Sequence, residues 1–400
     1  RPNASLDSFF NYETLNQLTS IQIEVDDNHS ITDEFEYDAN RNSTLHRKGE
    51  STNGNQPANR VVTEYDERDL VFRVAQAGGT GVSSTSQHDY DRNGNITRAL
   101  SGIEDLPRET LSVFDGYDRL VSSTDPMGNV VSIHYDANGN QVSTRVDGEL
   151  EDGLGSFNNI RLAESSSEYD AMDRATHGRA QHFDLGTQTP VGDGEVLTQI
   201  EWSGASLPLS VTNDNGHAST SLYDSANRLS RITDAAGNQV ERVYDPNSNV
   251  VSLVETERSD LGAGDEVYTS HYAHDALDRL VSVTNNVGST WTRAYDSLDN
   301  LVLSVDALLR EVRYDYDGLG RPLATRRDLG GGAELVTSQA WDDSSRVTSR
   351  TDDNLNTTSY TYDALDRLTR ETFADGTSRA WDYDVHHDAI SGSDANGTSF

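Results

Sequence analysis

The sequence contains no cysteine, which excludes a disulfide framework, zinc–thiolate sites and thiol catalysis. Lysine is nearly missing: of 31 basic side chains, Lys48 is the one lysine and the other 30 are arginine. Against 67 acidic side chains they leave a formal net charge of −36, which disfavours nucleic acid as a partner because phosphate contacts need clustered cations. No run of 18 apolar residues occurs, so no transmembrane helix is expected. P-loop, nucleophile-elbow and zinc-protease helix motifs are also missing. Hydrophobic residues reach only 34%, yet 17 Tyr, 9 Phe and 4 Trp supply bulk. Because apolar residues alternate along the chain, a disordered reading fails.

What the chain does have is a repeat. An aromatic residue followed by Asp recurs at Tyr37, Tyr65, Tyr90, Phe114, Tyr135, Tyr169, Tyr223, Tyr244, Tyr295, Tyr316, Trp341 and Tyr362, with His274-Asp275 in the same slot. Four residues after the anchor, 10 of these 13 carry Gly, Asp or Asn; five after it, 12 of 13 carry Asn or Arg. A second turn signal interleaves at Thr124-Asp125, Thr233-Asp234 and Thr351-Asp352. The spacing Asp115 to Asp125 to Asp136 is 10 then 11 residues, and it recurs through Asp224, Asp234 and Asp245. The unit is therefore 21 residues with two turns.

Asp opening a turn accepts backbone N–H bonds, which nucleates chain reversal. The Gly/Asp/Asn position fits a backbone of positive φ. The arms left between turns are about six residues, the length of an ordinary strand. Val131, Ile133 and Tyr135 take one face while Ser132 and His134 take the other. The expected fold class is all-β: a spiralling array of antiparallel hairpins, treated as one domain over 1–400. Gly/Ser/Asp-rich inserts at about 75–88, 147–166, 183–195, 257–266 and 328–334 replace the second turn, so longer loops should gather on one edge. Strand-like returns follow at Glu195–Ile200, Glu266–His271 and Glu334–Gln339.

The motif residues Tyr90, Asp91 and Gly94, Tyr135, Asp136, Gly139 and Asn140, Tyr223 and Asp224, and Tyr362, Asp363 and Arg367 form a Tyr-Asp-x-x-Gly-Asn/Arg-Leu pattern. It resembles the YD-repeat or Rhs-repeat family, from about Tyr12 to Asp384. That family includes bacterial Rhs polymorphic toxins, cocoon-forming components of insecticidal toxin complexes, wall-associated proteins and teneurins. The resemblance implies hairpins wound into a hollow shell, which in toxin members encloses a C-terminal passenger. Partners implied are a passenger polypeptide or flanking domains of the same chain. The self-cleavage signature of Rhs cores is not recognisable, and Asp125-Pro126 and Asp245-Pro246 lie inside ordinary repeats.

Periodicity makes the Tyr-Asp pairs architecture, each Tyr packing on its equivalent in the next hairpin. An adhesin binding glycans or cell-surface proteins is the alternative class. The third is a uronate-directed lyase, for which His134, Tyr272 and His274 are the candidate catalytic residues. His271 and His274, three apart on a strand, face opposite ways, as do His386 and His387. Asp136-Ala-Asn138-Gly-Asn140 offers oxygen ligands to calcium but lacks the distal Glu of an EF-hand loop. No other cofactor is expected. The acidic, Lys-poor surface points to a secreted or cell-surface setting, bacterial in type. A start at Arg1 and a stop at Phe400 inside patterned sequence suggest a piece of a longer polypeptide.

Overall fold

The computed structural model describes residues 7–77, 83–150, 159–259, 262 and 264–399. These carry 32 β-strands and one four-residue helix, Gly49–Thr52. Strands pair antiparallel with their neighbours in sequence, as in Val130–Tyr135 with Gln141–Gly148 and Thr357–Tyr362 with Leu368–Thr372. The expected array of antiparallel hairpins is what forms. The chain divides into two compact units, one of Arg1–Glu109 with Ala294–Phe400, the other of Thr110–Arg293.

One hairpin shows why these residues fold this way. His134 pairs with Ser143, but Tyr135 pairs with Gln141, so the register slips by one residue at the anchor. Within the loop, the Asp136 N–H donates to the Asn140 carbonyl at 2.9 Å, and the Gly139 N–H donates back to the Asp136 carbonyl at 3.2 Å. A tight turn followed by a left-handed residue and a bulge is a standard five-residue hairpin closure. Gly139 has φ 93°, and the same position holds Asp173 at 57°, Asn227 at 60° and Asp366 at 63°. Gly, Asp and Asn therefore recur there because they bear positive φ best. The second turn type follows the same geometry with Gly128 at 85° and Gly237 at 92°, although Leu309 and Leu355 occupy it at 62° and 66°.

The sheet is thin. Among the described residues, the buried apolar side chains are Ile31, Ala58, Ala77, Leu100 and Leu365. Most other strand residues are half-buried, with the residue just before the anchor exposed, as at Glu64, His134, Leu222 and Thr361. Among the described residues the strands all belong to one sheet.

The predicted returns lie in strands Pro190–Trp202, Glu266–His274 and Ala333–Trp341. Two of the inserts are hairpin extensions, closed at Asp184–Thr189 and at Gly330–Ala333. The other three lie partly outside the described residues. Helix Gly49–Thr52 has no counterpart in the repeat pattern. Among the described residues, no helix is long and apolar enough to cross a membrane.

Candidate functional site

The chemistry-bearing side chains collect at the Tyr-Asp turns. In each, one carboxylate organises the loop. Asp136 Oδ1 accepts the N–H groups of Asn138 and Asn140 at 2.9 and 2.8 Å, and Oδ2 accepts Asn140 Nδ2 at 3.0 Å. Where the fifth residue is Arg, its Nε takes the Asn role: Arg119 donates to Asp115 Oδ2 and Arg367 to Asp363 Oδ2, both at 2.7 Å. The Asn140 side chain, more than any other group, holds the Asp136 carboxyl below its ordinary range; backbone N–H donors add to this against burial. Arg119 and Arg174 lead the same lowering at Asp115 and Asp170. Asx-turn chemistry thus accounts for these acids.

The fifth residue also reaches forward to the next Tyr-Asp turn. Arg228 Nη1 donates to the Asp245 carbonyl at 2.9 Å and to Ser248 Oγ at 3.2 Å. Arg321 repeats this on Asp342 and Ser345 at 2.9 and 3.1 Å. Where the fifth residue is Asn, the next turn supplies a carboxylate instead. Asn140 Nδ2 donates to Asp173 Oδ1 at 2.7 Å, and Asn249 Nδ2 to Asp278 Oδ1 at 2.6 Å. In these turns position five of one and position four of the next match as Arg with Ser or Asn with Asp, while Arg119 and Arg367 reach the Asp136 and Asp384 carbonyls of turns that carry Gly139 and His387 there. Arg346, with Asp366 at 2.8 Å, is a third combination.

The anchor rings complete the ladder, in a way the sequence did not indicate. Tyr135 Oη donates to the Leu120 carbonyl at 2.9 Å, and Tyr244 to Leu229, Tyr362 to Val347 and Tyr383 to Leu368 repeat the bond. The ring lies beneath the Arg of the preceding turn, with Arg119 at 4.5 Å from Tyr135 and Arg228 at 4.5 Å from Tyr244. Among the described residues the anchor rings meet an Arg in cation–π contact, and the stacked ring pair is Phe35 and His46. Burial, followed by the charge of Asp342, raises the pKa of the Tyr362 hydroxyl. Two further anchors escaped the sequence pattern. Trp202 Nε1 donates to the Ala175 carbonyl at 2.8 Å ahead of a Ser203 turn, and Tyr383-Asp384 opens a turn whose left-handed residue is His387. His386 and His387 thus belong to a turn rather than a strand.

Within the unit of Arg1–Glu109 and Ala294–Phe400, a second polar cluster joins distant segments. Asn59 donates from Nδ2 to the Ala364 carbonyl at 3.0 Å and to Asp366 Oδ1 at 2.7 Å. Its Oδ1 accepts Ser344 Oγ at 2.8 Å. Arg346 Nη2 donates to Gln56 Oε1 at 3.0 Å, Glu50 accepts the Asp343 N–H at 2.9 Å, and Lys48 meets Asp366 at 2.6 Å. Asn59, Glu50 and Arg346 are all buried. A Cβ on Gly49 would collide with the Asp343 carbonyl, so the close approach needs glycine there. The sequence marked this seam only by the lone lysine and a break in the repeat.

The lyase candidates are not brought together. His134 is exposed, near Ser143 Oγ at 3.3 Å, and immediately precedes its anchor. Tyr272 and His274 lie two apart on Glu266–His274, with His274 in the anchor slot. Strand alternation therefore puts His134 on the face opposite the anchors and the other two on the anchor face. Nine strands separate them along the ladder. Among the described residues, no three His, Asp or Glu side chains gather as a metal site.

The RHS Repeat family profile matches four stretches, 114–150, 223–259, 274–308 and 341–378. Each begins on an anchor: Phe114, Tyr223, His274 or Trp341. The chain carries RHS repeats. No curated protein matches this RHS-repeat chain in sequence. Among solved structures, it is similar to TcdB2-TccC3-TEV at 12% identity, covering 96% of this chain and 24% of that one with a TM-score of 0.43. It is also similar to the Photorhabdus luminescens Tc holotoxin pore carrying a TccC3 mutation, at 12% identity, 97% and 25% coverage and a TM-score of 0.44. A third is TcdB2-TccC3 without its hypervariable C-terminal region, at 12% identity, 97% and 26% coverage and a TM-score of 0.35. The RHS-repeat chain spans about a quarter of the length of these structures.

Proposed function

We propose that this RHS-repeat chain is a wall segment of a protein shell that encloses a passenger polypeptide for secretion or delivery. The observation that carries the reading is thinness: the strands are paired in a single layer while five apolar side chains are buried among the described residues. A globular domain folds around a core, whereas a sheet without one has two usable faces. Backbone polar groups are consumed within the ladder, so the wall offers few sites for added strands or proteases. The turn ladder binds each hairpin to the next, and the seam at Asn59 ties together edges that the sequence holds far apart. Net charge of −36 keeps such a wall dispersed.

The test uses the native polypeptide. Intact mass and terminal peptides define whatever non-repeat segments accompany the repeats. Limited proteolysis then compares those segments with the repeats present and with the repeats unfolded at low pH. Enclosure expects a non-repeat piece that resists protease only alongside folded repeats. Digestion at equal rates in both states would sink the shell reading.

A further inference from the structure

We propose that Lys48 and Asn59 join through a side-chain amide that forms spontaneously in the folded chain, with Asp366 as the proton carrier. The two residues stand opposite each other at the ends of strands Ser43–Arg47 and Arg60–Tyr65. Arg47 pairs with Arg60, and one step on the Lys48 N–H donates to the Asn59 carbonyl at 3.2 Å. Directly opposed residues of an antiparallel pair carry their Cβ atoms about 5 Å apart on one face. The Asp366 carboxylate spans the two side chains. Its Oδ2 accepts Lys48 Nζ at 2.6 Å, and its Oδ1 accepts Asn59 Nδ2 at 2.7 Å. The attacking nitrogen and the leaving nitrogen therefore rest on the two oxygens of one acid.

Each group suits its part. A lysine amine is a nucleophile once its ammonium gives up a proton, whereas arginine stays protonated. The chain uses arginine for 30 of its 31 basic residues and places its one lysine here, although Arg346 already supplies a cation to Asp366 at 2.8 Å. An ion pair alone does not call for lysine. Asn59, rather than Asp366, is the electrophile, because an anionic carboxylate repels a nucleophile and a neutral amide does not. The Asn59 carbonyl oxygen accepts Ser344 Oγ at 2.8 Å, a donor placed to steady negative charge as it grows there. Asn59 is 1% exposed, and the buried Ala58 and Leu365 adjoin Asn59 and Asp366 in the chain. Water therefore competes little for the amide carbon.

The step balances within these three side chains. The Lys48 ammonium passes a proton to Asp366, and the freed amine attacks Asn59 Cγ. Asp366 hands that proton to Nδ2, the Cγ–Nδ2 bond breaks and ammonia leaves, carrying off the second proton shed by Nζ as ammonium. One Cγ–Nζ bond replaces one Cγ–Nδ2 bond, and nothing is oxidised or reduced. The product is a covalent ring closed over residues 48–59. Inside it lie Glu50, which accepts the Asp343 N–H at 2.9 Å, and Asn53 and Gln56, which donate to Asp343 Oδ2 at 2.6 Å and to the Tyr362 carbonyl at 2.8 Å. The link thus locks the loop that grips the later repeats, and it does not depend on the shell reading.

The intact mass of the whole chain, measured under denaturing conditions after prolonged incubation of the folded protein at neutral pH, tests it. The expected mass is lower than that of the sequence by one ammonia, and fragmentation should give a branched peptide joining Lys48 to Asn59. Lys48→Arg keeps a cation on Asp366 and should show its full sequence mass, as should Asp366→Asn. Ser344→Ala should form the link about tenfold or more slowly. Full sequence mass in the unsubstituted chain marks an ion pair only and overturns the proposal, whatever the variants do. Loss of one water instead would place the amide on Asp366 and overturn Asn59 as the acceptor. Ammonia loss that maps to another asparagine, or persists in Lys48→Arg, overturns the link, and full linkage in Asp366→Asn overturns the proton carrier.

Discussion

Asn59 and Asp366 stand 307 residues apart in sequence and meet at 2.7 Å, with Asn59 retaining 1% of its exposure. A buried amide that satisfies three partners is costly to lose, because the Ala364 carbonyl loses its side-chain donor and Asp366 and Ser344 each lose one of their bonds. Asn59→Ala is expected to destabilise its unit by about 2–4 kcal/mol. Hydrogen exchange at 344–366 should rise with it, while the unit of Thr110–Arg293 stays protected. A loss under about 0.5 kcal/mol, typical of surface changes, would show that the seam is incidental.

The matching rule between turns is open to a double-mutant cycle. Arg228→Asn removes the bonds to Asp245 and Ser248 and the cation–π contact with Tyr244, at about 1–2 kcal/mol. Adding Ser248→Asp recreates the Asn–Asp pairing that Asn249 and Asp278 use, and should recover at least half. Ser248→Asp alone should be near neutral, since the position already has φ 75°. Additive losses in urea denaturation would refute the rule.

Leu355 and Leu309 hold left-handed backbone while more than 80% exposed, at 83% and 81%. The conformation costs a non-glycine residue about 1 kcal/mol, and the greater freedom of unfolded glycine offsets about half of that. Leu355→Gly should therefore raise stability by about 0.5 kcal/mol, and the pair of substitutions by about 1 kcal/mol. Lower melting temperatures would mean that these leucines make contacts of real weight.

Acid should unfold the turns in a defined window. Asp91, Asp136 and Asp352 are held below the ordinary carboxylate value, with the side chains of Asn95, Asn140 and Asn356 as the leading cause. A depressed folded-state pKa gives stability that is present above the unfolded value, about 4, and disappears as pH falls through the folded one. Meanwhile, protonating other carboxylates first relieves the repulsion of a −36 chain. Melting temperature is expected to hold or rise from pH 7 to about 5, then fall steeply below about 4. Asp136→Asn should blunt the fall; a melting temperature still rising at pH 3 would contradict the account.

Local chemistry was readable from the sequence and long-range geometry was not. Asp136, Gly139 and Asn140 act within five residues of one another, so their types at fixed spacing announced the turn, the left-handed position and the hairpin. The same spacing hid the forward reach of Arg228, because Arg and Asn look interchangeable until Ser248 and Asp278 are seen beside them. Trp202 and Tyr383 escaped for different reasons: a Ser replaces Asp after the first, and two histidines mask the turn after the second. Asn59 gave no signal at all, since nothing local ties it to Asp366. His134, Tyr272 and His274 were chosen by chemical type, and strand alternation sets them on opposing faces.

Apart from Arg346, which also meets Gln56, the gripping Arg and Asn side chains of the ladder reach the following turn and no farther, which bears on how such a chain lengthens in evolution. Duplicating or excising a whole 21-residue unit leaves every grip intact except the one at the splice. Such an event passes unnoticed when the newly adjoining turns follow the Arg–Ser or Asn–Asp grammar, and it leaves a weak joint when they do not. Repeat number can therefore drift where the adjoining turns match, while a mismatched junction calls for a compensating substitution.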